Sequence, residues 1–280
     1  MSDETIRKAV RERYGQRAKD EASCCAKPRS CCGTKDSVSR AIGYSEEELG
    51  AVPEGADLGL GCGNPTALAS LKEGETVLDL GSGAGIDCFL AAQAVGPSGR
   101  AIGVDMTAEM IERARENART NGIENVEFRL GEIEHLPVAD RSIDIVISNC
   151  VVNLSLDKPR VFREAFRALK PGGRMFLSDI VLLKPLPEEV RKSIEAYVGC
   201  VAGASMKADY LAAIEAAGFR DVEVLKEIAS DSAFSDDEAA AKVYVDGKEV
   251  DPERVGLERA TISDLAGTMA SVTVRAAKPA

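Results

Sequence analysis

The sequence predicts an α/β fold built on a doubly wound, parallel β-sheet, with a cysteine-rich arm before it and an α+β lid after it. Short apolar segments alternate with helical segments between residues 75 and 180. The first apolar segment leads into a glycine-rich turn. Alternation of this kind, with strands that are apolar along their whole length, is typical of a parallel sheet covered by helices on both faces.

In order, the strands are predicted at Thr76–Leu80, Arg100–Asp105, Val126–Leu130, 142–149 and 174–180. The helices between them are predicted at 85–95, at Ala108–Thr120 and directly after Asp157. Thr107 and Asp157 are the predicted N-cap residues, because short oxygen-bearing side chains accept hydrogen bonds from the first turn. The PGG sequence at 171–173 is predicted to end the last of these helices.

The chain is divided into three predicted parts. Residues 1–70 form an arm with a helix near 5–14, the cysteine-rich stretch, and a glycine-rich loop. Residues 71–182 form a Rossmann-like domain. Residues 183–280 form a substrate or lid domain with helices at 188–199 and 207–217, strands at 221–225 and near the end, and an acidic segment at 228–265 with a hairpin around Asp246-Gly247.

Composition narrows the function. The 280 residues include 45% hydrophobic but only 4% aromatic residues, so we expect a core of aliphatic side chains. The formal net charge of −11 argues against a nucleic-acid partner, which would need a basic surface. The sequence shows neither an apolar signal region nor a run long enough to span a bilayer, so we expect a cytoplasmic protein with reduced thiols and no membrane partner.

The glycine-rich turn predicts a cofactor site. DLGSGAG, residues 79–85, has the spacing G-x-G-x-G, where dinucleotide-binding turns have G-x-G-x-x-G. The shorter form is typical of S-adenosylmethionine (SAM) binding in class I methyltransferases, and the alternative is a nicotinamide-dependent reductase with a degenerate turn. Asp79, Gly81 and Gly83 are the predicted cofactor contacts of this turn.

Further cofactor contacts are predicted at the ends of the next strands. Asp105 can accept hydrogen bonds from both ribose hydroxyls, and Met106 can pack on the adenine. Glu132, Ile133 and Glu134, in GEIE after the third strand, are predicted at the adenine edge. Asn149, which ends the fourth strand, completes the set. Open α/β sheets bind their ligands at this carboxyl edge.

The eight cysteines fall in different contexts. Cys62 lies among glycines, while Cys150 and Cys200 have apolar neighbours, so spacing alone leaves a core or a site position open for these two. We interpret Cys88 as a core residue and His135 as a surface or adenine-side residue. The arm holds two adjacent pairs, Cys24-Cys25 and Cys31-Cys32, which fit a zinc site less well than C-x2-C pairs do.

The segments GLGCGNP, VLDLGSGAGIDCFLAA, GEIEHLPV, SNCVVNLSLDKPRVFREAFRALKPGGR and YVGCVAGAS together resemble the arsenite methyltransferases, over roughly residues 6–219. The resemblance implies a class I SAM-methyltransferase fold and As(III) held by the thiolates of Cys62, Cys150 and Cys200. It also implies a further cysteine in the arm, where the chain offers Cys24, Cys25, Cys31 and Cys32 without a single match. Cys31 and Cys32 are the candidates for redox or arsenic delivery.

The same resemblance implies the substrates and partners. These are arsenite and methylated arsenicals, free or conjugated to thiols, together with a thiol reductant such as thioredoxin or a glutathione-like molecule. Thiolate-bound As(III) would attack the SAM methyl group through its lone pair, without a general base. Two other functions stay open from the residues alone: a SAM methyltransferase for a small organic acceptor, and a non-catalytic metalloid- or zinc-binding protein.

Overall fold

The computed structural model describes residues 2–20, 35–191, 193–229, 243–245, 248–250 and 267–280. Its strands are β1 (Thr76–Leu80), β2 (Arg100–Asp105), β3 (Val126–Leu130), β4 (Ile143–Asn149), β5 (Leu169–Leu182), β6 (Arg220–Ala229), β7 (Val243–Val245), β8 (Lys248–Val250) and β9 (Met269–Ala277). Seven of these form one sheet in the order β3-β2-β1-β4-β5-β9-β6, and β7 pairs with β8 as the hairpin that the sequence predicts.

Strand direction in the large sheet follows the prediction for β1 to β5, which are all parallel. Two further strands extend this sheet, because β9 pairs antiparallel with both β5 and β6. Residues 183–280 therefore contribute strands to the central sheet as well as segments at its rim. The division of the chain into three domains stays a prediction.

The chain order reverses between β1 and β4, since β1 connects onward to β2 on one side while β4 lies on its other side. The connections that leave the carboxyl ends of these two strands turn in opposite directions and leave a crevice between them. Open α/β sheets bind ligands at such a switch point. The fold thus fixes where a site is to be expected.

The helices are α1 (Asp3–Asp20), α2 (Lys35–Ala41), α3 (Glu46–Ala51), α4 (Pro65–Leu68), α5 (Ile86–Val95), α6 (Ala108–Thr120), α7 (Lys158–Ala168), α8 (Glu188–Arg191), α9 (Ile194–Val198) and α10 (Lys207–Ala216). The helix predicted over 188–199 is divided into α8 and α9. Its division has a local cause, because the Ser193 hydroxyl accepts a hydrogen bond from the N–H of Ala196 at 3.2 Å and so begins a new helix.

Two other local predictions need correction. The PGG sequence does not end α7, which stops at Ala168, and β5 begins at Leu169 before the glycines. Thr107 is the N-cap residue of α6, but its side chain makes no capping hydrogen bond. Asp157 caps α7 as predicted, because its carboxylate accepts from the N–H of Arg160 at 3.0 Å.

Both faces of the sheet are covered. On one face α7 and α10 pack through an edge-to-face ring pair, Phe162 with Tyr210 at 5.4 Å between centroids. On the other face α5 and α6 pack around Phe89 and Phe128, and Cys88 is fully buried there, which confirms its core position. None of the helices in the described ranges combines the length and the apolar character needed to cross a bilayer.

Candidate active site

A cavity of about 760 Å³ opens at the switch point, within the usual size range of small-molecule sites. Its walls contain every predicted site residue that the structure describes: Cys62, Asp79, Gly81, Gly83, Asp105, Met106, Glu132, Ile133, Glu134, Asn149, Cys150 and Cys200. The fold brings these residues together from loops up to 138 positions apart. Cys31 and Cys32, also predicted for the site, lie outside the described residues.

The glycine turn after β1 has backbone φ angles that residues with a side chain rarely adopt. Gly81 and Gly83 have φ angles of +69° and +52°. A Cβ at Gly81 would lie 2.3 Å from Cγ2 of Val151, whereas a Cβ at Gly83 would have Met110 Sδ at 4.0 Å as its nearest neighbour. Gly81 therefore permits close packing, and Gly83 keeps space free in front of the turn.

Asp105 supports the turn from the end of β2. Its carboxylate accepts hydrogen bonds from the N–H of Gly83 at 3.0 Å and from the N–H of Thr107 at 2.8 Å. Burial raises the pKa of Asp105, although these hydrogen bonds act in the opposite direction. The carboxyl is thus held rigidly at the cavity wall.

A pair of buried carboxyl groups, Asp79 and Asp87, lies beside the turn. Burial raises the pKa of Asp79 well above its usual range, and the neighbouring Asp87 raises it further. Burial also raises the pKa of Asp87 to about 6, even though Tyr44 donates a hydrogen bond to it at 2.9 Å. The sequence-based prediction missed Asp87 and Tyr44. Asp87 follows the glycine motif by two positions, which is a usable signal, while nothing around Tyr44 marks it.

The GEIE segment contributes an apolar wall, because its two carboxylates are already engaged. Glu132 forms ion pairs with Arg11 at 2.8 Å and Arg7 at 3.6 Å, and Glu134 accepts from the hydroxyl of Ser155 at 2.6 Å. Ile133 is buried. His135, the next residue, is exposed, which agrees with its predicted surface position.

Helix α1 lies across the cavity and partly closes it. Val10 and Tyr14 pack with Met106 on one side and Val198 on the other, so the helix joins the end of β2 to α9. The Tyr14 hydroxyl donates to the carbonyl of Val198 at 3.3 Å. The predicted arm helix is thus longer than 5–14 and forms part of the site.

Three thiols meet at one end of the cavity. The side chains of Cys62 and Cys150, and of Cys150 and Cys200, lie close enough to shift each other's pKa. The Cys200 thiol also donates to the carbonyl of Cys150 at 3.1 Å, and the Cys62 thiol donates to the carbonyl of Ser178 at 3.4 Å. All three are free thiols, Cys62 and Cys150 half-buried and Cys200 buried. All three line the cavity, so a site position for Cys150 and Cys200 stays a prediction that their placement permits.

Two of these cysteines have strained backbone. Cys150 has a φ of +60° and Cys200 a φ of +62°, in the left-handed region that residues with a Cβ seldom adopt. Such conformations cost of the order of 1–3 kcal/mol each and concentrate at functional sites. Both strained cysteines line the cavity.

The thiols are held in the protonated form. A hydrogen bond from Cys200 lowers the pKa of Cys150, but the bond to Cys62 and burial outweigh it, and the net pKa lies well above the usual range. The bond with Cys150 and burial raise the pKa of Cys200. For Cys62 the bond from Cys150 lowers the pKa, yet burial and nearby charge raise it overall.

Asn149 fixes the loop that carries Cys62. Its amide donates to the carbonyl of Gly63 at 2.7 Å and to the Tyr44 hydroxyl at 2.9 Å, and its carbonyl oxygen accepts from the N–H of Cys62 at 3.0 Å. The Ser271 hydroxyl donates to the carbonyl of Cys62 at 2.6 Å from the other side. The side chain predicted to bind the cofactor thus also positions a thiol.

The described residues contain no group of three or more histidine, cysteine or acidic side chains arranged as a ready metal-ion site. The three thiols lie near one another but do not form a preformed cage. The arm cysteines Cys24, Cys25, Cys31 and Cys32, considered above for zinc, fall outside the part of the chain that the structure describes.

Comparison with known proteins agrees with this geometry. A family model described as a methyltransferase domain matches residues 71–218. A crystal structure of an arsenic(III) S-adenosylmethionine methyltransferase from Chlamydomonas reinhardtii superposes with a TM-score of 0.61 at 32% sequence identity, covering 87% of this chain and 73% of that one.

Curated relatives extend the similarity. An arsenite methyltransferase of Halobacterium salinarum is 52% identical over 242 residues, which are 83% of this chain and 62% of that protein. A human arsenite methyltransferase is 37% identical over 214 residues, 73% of this chain and 55% of its own length. The chain spans about three-fifths of the length of these curated relatives.

Proposed function

This chain belongs to the arsenite methyltransferase family, and on that premise we propose that it transfers a methyl group from SAM to As(III) bound by Cys62, Cys150 and Cys200. The observation that carries the proposal is the meeting of three free thiols at one end of a cavity whose other walls are the glycine turn and Asp105. A methyltransferase for an organic acceptor would have no need of this cluster.

The cavity fits the proposed cofactor. The space in front of Gly83 and the buried carboxyl of Asp105 form a cradle suited to a ribose, and Met106 and Ile133 provide apolar walls suited to an adenine. When bound there, SAM supplies an electrophilic methyl group. Glu132 and α1 would then act as a cover, since Arg7 and Arg11 tie the helix to the rim.

The thiols fit the proposed substrate. As(III) is soft and prefers sulfur to oxygen ligands. Arsenite reaches a neutral site as As(OH)₃, and each thiol that replaces a hydroxide gives up its proton to that hydroxide, which leaves as water. Three exchanges therefore yield three As–S bonds and three water molecules with no change of net charge. This stoichiometry suits buried thiols whose raised pKa values keep them protonated.

The chain's own contribution to transfer is positioning. The strained backbone of Cys150 and Cys200 and the clamp on Cys62 hold the arsenic lone pair toward the cofactor side of the cavity. Holding two reactants in line can supply up to roughly 7–11 kcal/mol of barrier lowering. Tyr14, over the thiols, helps to exclude water. No general base is required, because the nucleophile is the arsenic atom.

A reductant completes the proposed cycle. Methyl transfer formally oxidises arsenic by two electrons, and two thiols that form a disulfide return it to the trivalent state. Cys31 and Cys32 are proposed for this step or for arsenic delivery, with thioredoxin or a glutathione-like thiol restoring the reduced protein. Free or thiol-conjugated arsenite and methylated arsenicals are the proposed substrates, and the reducing cytoplasm is the proposed compartment.

The test is direct. The purified chain is incubated with SAM, arsenite and a thiol reductant, and arsenic species are separated by chromatography with arsenic detection. We expect methylated arsenic, and none when Cys150 is changed to Ser. Absence of any methylated species from a chain that binds SAM by calorimetry would refute the proposal. Undiminished methyl transfer by Cys150→Ser would refute the role of the thiol cluster.

A further inference from the structure

A second, smaller cavity of about 110 Å³ adjoins the first at Cys62. Its lining includes Cys62, Asn64, Ala67, Lys226, Ser271 and Thr273. Cys62 and Ser271 also line the larger cavity, together with Ile42 and Ile228. These shared residues form the partition between the two spaces, so Cys62 can be approached from either one. We call the smaller space the side cavity.

An irregularity in β6 forms one wall of the side cavity. Val224 pairs with Val274, and the next paired residues are Lys226 and Thr273, so β6 has one extra residue at this point. Val224 packs into the core on the far face of the sheet. Because directly paired residues point to the same face, the bulge turns Lys226 onto the face of Thr273, where it lines the side cavity together with Cys62. A regular strand would leave Lys226 on the apolar face.

The lining of the side cavity mixes apolar residues with polar ones, and several of its residues are exposed. Lys226, Ile228 and Ala67 are exposed. Within the described residues Lys226 has no carboxylate within 4 Å. Among the lining hydroxyls, that of Thr273 shares a hydrogen bond of 3.2 Å with Ser178 and that of Ser271 donates to the carbonyl of Cys62, which leaves acceptor capacity on Thr273 and Ser271. Such a lining can bind a small hydroxylated solute by hydrogen bonds.

The size agrees with the proposed substrate. A volume of about 110 Å³ corresponds to between three and four water molecules at about 30 Å³ each. As(OH)₃, with one arsenic and three oxygen atoms, is a solute of this size. A bound cofactor is far too large for the side cavity and would occupy the larger one, beneath α1.

We propose that As(III) reaches the thiols through the side cavity and that Cys62 is the first thiol it meets. The route rests on the function proposed above. This route predicts that As(III) can bind while the cofactor already occupies the larger cavity. A single entrance shared by both ligands would not allow this. The cofactor and the metalloid then need no fixed order of binding.

Ala67→Phe tests the route, because Ala67 is exposed on α4 and lines only the side cavity. With the chain saturated by S-adenosylhomocysteine, we expect protein-bound arsenic, sampled by rapid filtration, to accumulate roughly tenfold more slowly, a barrier increase of about 1.4 kcal/mol. The amount bound at equilibrium stays the same, because the thiols are untouched. Lys226→Trp, which narrows the cavity from β6, should give the same loss.

Ala212→Phe, at an exposed alanine of α10, is the matched control, and Ala67→Ser should also behave like the parent. Equal affinity for S-adenosylhomocysteine by calorimetry shows that the variants are folded. Uptake at the parental rate by both Ala67→Phe and Lys226→Trp would overturn the route while leaving the proposed function intact. Absence of arsenic uptake by the parent chain would overturn both.

Discussion

Asn149 and Cys62 are joined by a hydrogen bond of 3.0 Å from the backbone N–H of the cysteine to the side-chain oxygen of the asparagine. The same side chain donates to the carbonyl of Gly63 at 2.7 Å, so it holds the chain on both sides of the Cys62 carbonyl. Cys150 follows Asn149 directly at the end of β4. One short segment therefore carries one thiol and positions another.

Asn149→Ala should weaken As(III) binding and slow methyl transfer, with a smaller effect on the free energy of unfolding. Loss of the clamp frees the Cys62 loop, and loss of a supporting partner typically costs a metal site roughly 10–100-fold in affinity or activity. We expect As(III) affinity and methyl transfer to fall by that factor. Competition with a small dithiol, followed by measurement of protein-bound arsenic, gives the affinity.

Asn125→Ala is the matched control for the clamp. Asn125 also donates two side-chain hydrogen bonds to backbone carbonyls, those of Ala92 at 2.8 Å and Gly96 at 3.0 Å, but it lies away from the thiols. We expect it to lower stability by about 1–3 kcal/mol and to retain As(III) affinity. If both variants lost arsenic affinity equally, the clamp would have no specific role.

Cys200→Ser should abolish As(III) capture while cofactor binding persists. The substitution keeps the size and the left-handed backbone but replaces a soft ligand with a hard one. The loss should exceed the roughly 10–100-fold expected for an outer partner. Protein-bound arsenic per chain, measured after desalting, checks this.

Cys88→Ser serves as the control for the thiol substitution. Cys88 is fully buried, and its thiol donates to Asp79 at 3.4 Å, a bond that a hydroxyl can also form. We expect parental arsenic stoichiometry from this variant. Retention of bound arsenic by Cys200→Ser at the parental level would remove Cys200 from the ligand set.

The strands and the cofactor-type turn could be predicted because they depend on local sequence. Strand hydrophobicity and the glycine turn place Gly83, Asp105 and Cys150 at the carboxyl edge of the sheet, where the structure has them. Helix α3 was missed although its signal is local, since Ser45 and Glu48 form a capping box. The interpretation of the arm rested on its first helix, its cysteines and its glycine-rich loop, and made no prediction for the segment that begins at Ser45.

Other features depend on contacts between distant segments, which periodicity cannot show. Tyr44 bonds to Asn149 across 105 positions, and its own surroundings carry no motif. The bulge that redirects Lys226 arises from pairing with β9, about 50 positions later. The strained backbone of Cys150 likewise can be seen only in the folded chain, where distant segments form the rim of the cavity.

Asp105→Ala should separate cofactor binding from arsenic binding. The carboxylate accepts a hydrogen bond from the N–H of Gly83 at 3.0 Å and faces the larger cavity, so its loss removes the proposed cofactor acceptor and loosens the glycine turn. Hydrogen bonds to charged groups contribute about 1.5–3 kcal/mol, which predicts a roughly 10–150-fold weaker SAM affinity. Calorimetric titration with SAM gives the affinity, and protein-bound arsenic should stay at the parental level.

Asp144→Ala is the control at the opposite edge of the sheet. Its carboxylate accepts from the N–H of Thr76 at 2.9 Å, at the amino end of β1, and also contacts Lys170. SAM affinity should be unchanged in this variant. Equal loss of SAM and arsenic binding in Asp105→Ala would indicate a folding defect and contradict the assigned role.

Asp179 makes the stability of the fold depend on pH. It is fully buried on β5, and burial raises its pKa from 3.8 to about 7 against the hydrogen bond from Tyr210 at 2.8 Å. Between these values the unfolded chain has lost the proton and the folded chain retains it. Rising pH therefore favours unfolding across pH 4 to 7, and above that window the full cost, of the order of 4 kcal/mol, applies.

Asp179→Asn removes this titration and keeps an acceptor for Tyr210. Its free energy of unfolding, from urea denaturation, should exceed that of the parent by a margin that grows from pH 5 to pH 8. Asp209→Asn, at an exposed aspartate of α10, controls for the loss of one charge. A margin that stays constant between pH 5 and pH 8 would mean that Asp179 ionises no differently in the two states, and that the buried carboxyl behind the thiols imposes no cost on the fold.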